Sequence, residues 1–290
     1  MEQIFSTLIN GLSLGGIYAM IALGYTMVYG IAKLLNFAHG DIIMVGGYVI
    51  FVCMVTNNPL LAVLMAVICC VALGVFIEKV AYKPLRGASP LAVLITAIGV
   101  SYLLQSLAQI IFGSAPKMVT VYDFGAIQLF GATIQISALV TLGVAAIVMV
   151  ALTLFVKYSR LGRAMIAVSE DKDAAQLMGI NVNRIITITF AIDSALAALA
   201  GLFYLLKAPS VSSTMGAMPG IKAFTAAVIG GIGSIPGAML GGILLGLVES
   251  ISYKITAIAP YTDAIEFSIL ILILLVRPTG FLGKKRREKV

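Results

Sequence analysis

The fold that this sequence predicts is all-α: a polytopic transmembrane helical bundle of about eight or nine spans, with broken or re-entrant segments. Three observations predict it. Hydrophobic residues make up 61% of the 290-residue chain and charged residues only 11%. Mean hydropathy is +1.09. Apolar stretches of roughly the length that crosses hydrocarbon, about 20 residues, recur along the chain with short polar segments between them. No soluble core needs that much apolar sequence, so an ordinary globular domain is excluded.

The apolar stretches run approximately over 8–30, 42–56, 60–80, 90–113, 137–156, 185–206, 223–232, 237–256 and 264–276. The first follows "MEQIFSTLIN", which carries Glu2 and no basic run, so it reads as a retained span rather than a cleaved signal peptide. Cys53, Cys69 and Cys70 all fall inside apolar stretches, without the spacing of a disulfide framework or a metal site, and read as packing residues. The formal charge of +7 could suggest nucleic acid. Most of the Lys and Arg, however, cluster in "EKVAYKPLRG" at 78–87, in the polar island 159–184 and in the tail 277–290. That is the positive-inside pattern, so charge reports orientation and not a nucleic-acid partner. The three clusters are expected in the cytoplasm, and 114–136, 207–222 and 257–263 on the far side. Tracing back from Glu78 puts Asn36 inside and the N-terminus outside, while the tail ends inside.

Two places interrupt the spans. "KLLNFAHGD", Lys33 to Asp41, breaks otherwise continuous apolar sequence, and "IGGIGSIPGAMLGG", Ile229 to Gly242, holds six glycines and a proline. Backbone released from helix geometry at membrane depth must be buried in protein or face a watery cavity. Asn36, Phe37, His39, Asp41, Gly230, Gly231, Gly233 and Ser234 are therefore the candidate lining of a translocation pathway. Interrupted segments at corresponding places in two halves also point to an inverted repeat, although no residue-level repeat is visible. No linker divides the chain, which reads as one transmembrane domain over 1–290.

The island "SRLGRAMIAVSEDKDAAQLMGINVNR" carries an unusual concentration of ionisable groups for so apolar a chain. Ser169 suits an N-cap, Glu170 and Asp171 the positive end of a helix dipole, and Gly179 a C-terminal cap. The helix between them, two to three turns long, puts Ala174, Leu177 and Met178 on one face and Lys172, Asp173 and Gln176 elsewhere. Such a helix can lie on lipid or merely solvate a loop. Its apolar face is small and Ala-rich, a poor membrane anchor but a good fit to a groove on another protein.

"AVSEDKDAAQLMGINVNR" resembles the cytoplasmic coupling loop of permease subunits in bacterial ATP-binding-cassette importers. "GGIGSIPGAMLGG" and the opening "GLSLGGIYAMIALGYTMVYGIAKLLNFAHGDIIMVGGY" are similar to the glycine-rich signatures of the branched-chain amino acid permease family, whose members include urea and amide permeases. The likeness covers essentially the whole chain. It implies a permease for leucine, isoleucine and valine in a bacterial inner membrane. The partners it implies are a second related permease, two cytoplasmic ATPases and a periplasmic amino-acid-binding protein. It also implies that Glu170, Asp173, Ala174, Ala175, Leu177, Met178 and Gly179 contact the ATPase. No cofactor or metal is expected, and no G-x-x-x-x-G-K-[ST] phosphate loop is present, so this chain does not supply the ATP chemistry.

Asp193, Glu249 and Glu266 lie within spans, where a carboxylate is expensive and a functional candidate by default. An ion-coupled secondary transporter could use them. The alternative is that each faces the bundle interior and bonds to neighbours, with Ser194, Ser250 and Ser268 adjacent in sequence. His39, the single histidine, has no nucleophile or second ligand at catalytic spacing, so a structural histidine bonded in a tight turn is the reading that its surroundings favour.

Overall fold

The computed structural model describes residues 2–119, 121, 122, 124–129 and 132–283. The basic cluster at 284–290 lies outside them. Eleven α-helices are present among the described residues: α1 Glu2–Ala32, α2 His39–Cys53, α3 Pro59–Ile77, α4 Pro90–Phe112, α5 Ile136–Tyr158, α6 Arg160–Glu170, α7 Lys172–Leu177, α8 Val182–Lys207, α9 Ala217–Gly230, α10 Ile235–Lys254 and α11 Thr262–Val276. Eight helical segments are long and apolar enough to cross a membrane, so the chain is a polytopic helical bundle. The ninth expected stretch, 223–232, belongs to α9, whose 14 residues rise only about 21 Å against about 30 Å of hydrocarbon.

Local chemistry starts these helices where they start. Asn58, Ser89, Asn181 and Ser234 each sit in extended backbone and accept a hydrogen bond from the amide three residues on. Pro59, Pro90 and Pro236 occupy first-turn positions whose amides have no helical acceptor anyway. The most apolar window of α8 is 61% buried and that of α1 56%, whereas α4 and α11 bury only 17% and 11%. The outward Leu and Ile of α4 and α11 are exposed on this chain.

The chain forms two compact units. One comprises Met27–Asp123 and Ala151–Ile221, and its centre is the packing of α2, α3 and α8 on one another. Small residues let the three approach: a Cβ on Gly46 would stand 3.4 Å from the Ala198 Cα, and one on Gly201 2.9 Å from the Ile43 carbonyl oxygen. α3 continues through a π-helical turn, Glu78–Tyr82. Glu78 is thereby fully buried, although its sequence context reads as a cytoplasmic loop.

The other unit comprises Met1–Thr26, Phe124–Val150 and Lys222–Val290. Here α1 lies against α10, and a Cβ on Gly15 would stand 2.7 Å from the Ile243 Cα. Gly237, Gly241 and Gly242, read from sequence as part of a broken segment, are helical residues of α10 in close contact with Gly230, Ala226 and Ala19. The break itself is only 231–234, where Gly231 and Gly233 take φ of 105° and 93°. Its freed carbonyls are not open: Phe281 N–H donates to the Ile229 oxygen at 2.9 Å and Leu282 N–H to the Gly230 oxygen at 2.9 Å.

The segment expected simply to be polar between α4 and α5 contains strands. β2 Ala126–Leu129 and β3 Ala132–Gln135 form an antiparallel hairpin, and β1 Lys117–Met118 pairs with β4 Ser210–Val211. Alternation over four residues is too brief to announce a strand beside spans of twenty.

Candidate functional site

The polar island folds as two helices. Asp171 interrupts them in extended backbone, φ −153° and ψ 113°, and its Oδ1 accepts from the amides of Asp173 and Ala174, each at 3.0 Å. It takes the cap expected of Ser169, because the Ser169 hydroxyl instead donates to the Ile166 carbonyl at 2.7 Å within α6. Glu170 is consequently the last residue of α6 and not in the first turn of the docking helix. Gly179, at φ 82°, ends α7 as expected: its amide donates to Gln176 and that of Ile180 to Ala175, the paired bonds of a Schellman end.

This geometry sorts the expected coupling residues. Ala174 is exposed, Leu177 is 89% exposed and Met178 82%, so a small apolar face stands at the tip of a charged loop. Glu170, Asp173 and Gly179 are exposed around it. Ala175 is not on that face; it is 4% exposed and turned into the protein, because it lies 100° round the helix from Ala174. Lys172 ties α7 down, donating from Nζ to the Ala32 carbonyl at 2.8 Å. Burial pulls the Lys172 ammonium below its usual pKa, and the Arg86 guanidinium adds to that effect. A cleft of about 450 Å³, lined by Arg86, Lys172, Gln176, Asn181 and Asn183 among others, opens on the side of α7 that carries Lys172 and Gln176.

At the break, 33–38, Asn36 and Ala38 are buried while Lys33, Leu34, Leu35 and Phe37 are half-buried. Lys33 closes α1 in left-handed backbone, φ 62°, and α2 begins at His39. His39 is fully buried and its Nδ1 lies 2.9 Å from Asp193 Oδ1. Asn36 Nδ2 donates to Asp193 Oδ2 at 3.3 Å, and the Tyr82 hydroxyl donates to Asn36 Oδ1 at 2.8 Å. Asp41 accepts from Gln105 at 2.9 Å. Asn36 and Asp41 are 1% and 3% exposed and Phe37 is half-buried, so Asn36, His39 and Asp41 hold buried polar contacts within this unit. Gly230 to Ser234 belong to the other unit. Asp193→Ala is expected to lower stability by about 3 kcal/mol, since it strips a buried carboxylate from two buried partners. The check is the melting temperature of the purified chain in detergent, with Asp193→Asn expected to lose less.

Sequence reasoning missed most partners of the buried charges. Ser194 and Ser250 do not serve Asp193 and Glu249; their hydroxyls donate to the carbonyls of Phe190 and Thr7. Glu78 meets Arg86 and accepts from the Thr187 hydroxyl at 2.8 Å. Glu249 and Glu266 meet Lys222. Lys222 had a visible signal, as the only cation between Lys207 and Lys254 in a stretch of apolar residues.

The chain matches the family described as "Branched-chain amino acid transport system / permease component" over residues 7–274. The chain belongs to this permease family. It is 44% identical to the permease protein BraD of the high-affinity branched-chain amino acid transport system of Pseudomonas aeruginosa, over 98% of this chain and 97% of that protein. It is 43% identical to the corresponding LivH of Escherichia coli K12, over 100% and 97%. A probable branched-chain amino acid transport permease of Methanocaldococcus jannaschii is 30% identical over 91% and 88%. In this permease Gly15, Gly241 and Gly242, which lie in the glycine-rich stretches, are positions where backbones touch.

Proposed function

We propose that this chain is the membrane-spanning permease subunit of an ATP-driven importer that translocates leucine, isoleucine and valine delivered by a periplasmic binding protein. The observation that carries the reading is near-full-length likeness to permeases whose names specify that cargo class. The partners proposed are a second related permease and two cytoplasmic ATPases. The exposed Ala174, Leu177 and Met178 at the tip of the charged loop supply a place for an ATPase to dock, and the sequence itself holds no phosphate-binding loop. The burial of Asn36, His39 and Asp41 favours a framework role for them over selection of cargo.

The membrane proposed is the bacterial inner membrane, with the N-terminus periplasmic and the C-terminus cytoplasmic. Eight crossings alone would return the ends to one side; ends on opposite sides require α9 to carry the chain across as well, with the flanking turns making up the length its 14 residues lack. Pairing of Phe281 and Leu282 with the end of α9 supports this, since it brings the α9–α10 turn beside the start of the basic tail.

The test is uptake of labelled leucine into vesicles holding the chain with its ATPases, second permease and binding protein. Uptake is expected to require both ATP and binding protein and to be inhibited by isoleucine and valine. Competition by urea or short amides instead would replace the cargo, and uptake driven by an ion gradient without ATP would sink the importer reading.

A further inference from the structure

The second unit buries a charge imbalance. Lys222 on α9 is 5% exposed, and its Nζ lies 2.8 Å from Asp263 Oδ1, 3.2 Å from Glu249 Oε1 and 3.3 Å from Glu266 Oε2. The Asp263 side chain is 49% exposed, so water supports its charge. Glu249 and Glu266 have no such support: their side chains are 8% and 0% exposed. Two buried carboxylates facing one ammonium leave a net negative charge in a setting that tolerates none.

The two glutamates are not equivalent. Glu249 receives the Tyr18 hydroxyl on Oε2 at 2.6 Å as well as Lys222 on Oε1, so both oxygens of its charged form are satisfied. Glu266 shares the ammonium on Oε2, lies against the Glu249 carboxylate, and has on Oε1 a buried atom that no donor reaches among the described residues. Among the described residues, the ionisable side chains facing the group are Tyr18 from α1, Lys222 from α9, Glu249 and Tyr253 from α10, and Asp263 from α11. Tyr261, in the turn before α11, is exposed. No second cation is present among them to neutralise the excess.

We propose that Glu266 is a proton-binding site, its carboxyl holding one proton at neutral pH while Lys222 and Glu249 remain an ion pair. The proton restores neutrality where α1, α9, α10 and α11 meet. Releasing it places an uncompensated charge at that junction and loosens the packing there. The site makes the stability of this unit depend on pH.

The sign follows from linkage. An unfolded glutamate has released its proton at neutral pH, so a folded state that retains it is stabilised less and less as pH rises toward the alkaline side. The experiment compares the full chain, purified with its partner subunits, with Glu266→Gln by infrared spectroscopy and by thermal melting. The wild type is expected to show the carbonyl stretch of a protonated carboxyl at neutral pH, shifted in heavy water and lost in Glu266→Gln. Its melting temperature is expected to fall from neutral to alkaline pH more steeply than that of Glu266→Gln. A band absent from the wild type or surviving in the variant overturns the assignment, as does an identical pH dependence in the two. If Glu266→Gln does not accumulate, Lys222→Gln replaces it: with the ammonium gone both glutamates need protons, so the band is expected to double, and an unchanged band is equally fatal.

Discussion

Gly246→Leu is expected to leave almost no folded permease in the membrane. At the crossing of α1 and α10 the backbones themselves touch: a Cβ on Gly246 would fall on the Gly15 amide nitrogen and Cα, and one on Gly242 on those of Ala19. Lipid tails are as apolar as Leu, so no hydrophobic force holds two such helices together; close backbone approach supplies the attraction instead. Overpacking costs about 1–3 kcal/mol where flexible side chains can yield. Backbone atoms cannot yield, so the helices must separate and lose the contact. Gly143→Leu is the control, because a Cβ there meets nothing within 4 Å. Detergent extraction followed by size-exclusion chromatography reads the result, and a normal monodisperse yield of Gly246→Leu would show the crossing to be dispensable.

Ala174→Arg and Leu177→Glu are expected to reduce ATP-driven uptake at least about tenfold, the effect of losing roughly 1.4 kcal/mol of docking energy, while leaving the chain folded. Folding is spared because both side chains point away from the protein and Leu177 is 89% exposed. Ala175→Arg is the counterpart: at 4% exposure it must disturb the loop itself. A single cysteine at Leu177 in a Cys-free background tests the side of the membrane in the same series. It should escape a membrane-impermeant thiol reagent in intact cells, react in inverted vesicles, and be shielded once the ATPases are bound. Reaction in intact cells would reverse the proposed orientation, and unimpaired uptake by both charged variants would remove α7 as the coupling element.

Much of the fold was legible in one dimension because its determinants are local. A run of twenty apolar residues needs no partner to be recognised, since hydrocarbon is its solvent and the helix satisfies its own amides. Gly179 likewise declared the end of α7, because left-handed backbone after a helix favours glycine whatever surrounds it. The apolar face of Ala174, Leu177 and Met178 followed from helical period alone. Competition between neighbouring caps was harder: Ser169 and Asp171 both qualify by type, and Asp171 won because its carboxylate reaches two amides while the Ser169 hydroxyl finds an acceptor behind it.

By itself, the sequence determined that this is a multi-span helical permease with a charged loop carrying an exposed apolar tip. Only the tertiary structure decided what its buried charges do. His39 meets Asp193, Tyr82 meets Asn36, and Lys222 meets Glu249 and Glu266, each pair drawn from different elements and separated by tens of residues or more. A glutamate within a span reads the same on paper whether it carries an ion, a proton or a neighbour's hydrogen bond. The difference lies in which helix faces it, and helix packing in lipid depends on small residues whose partners become known only when the chain has closed on itself.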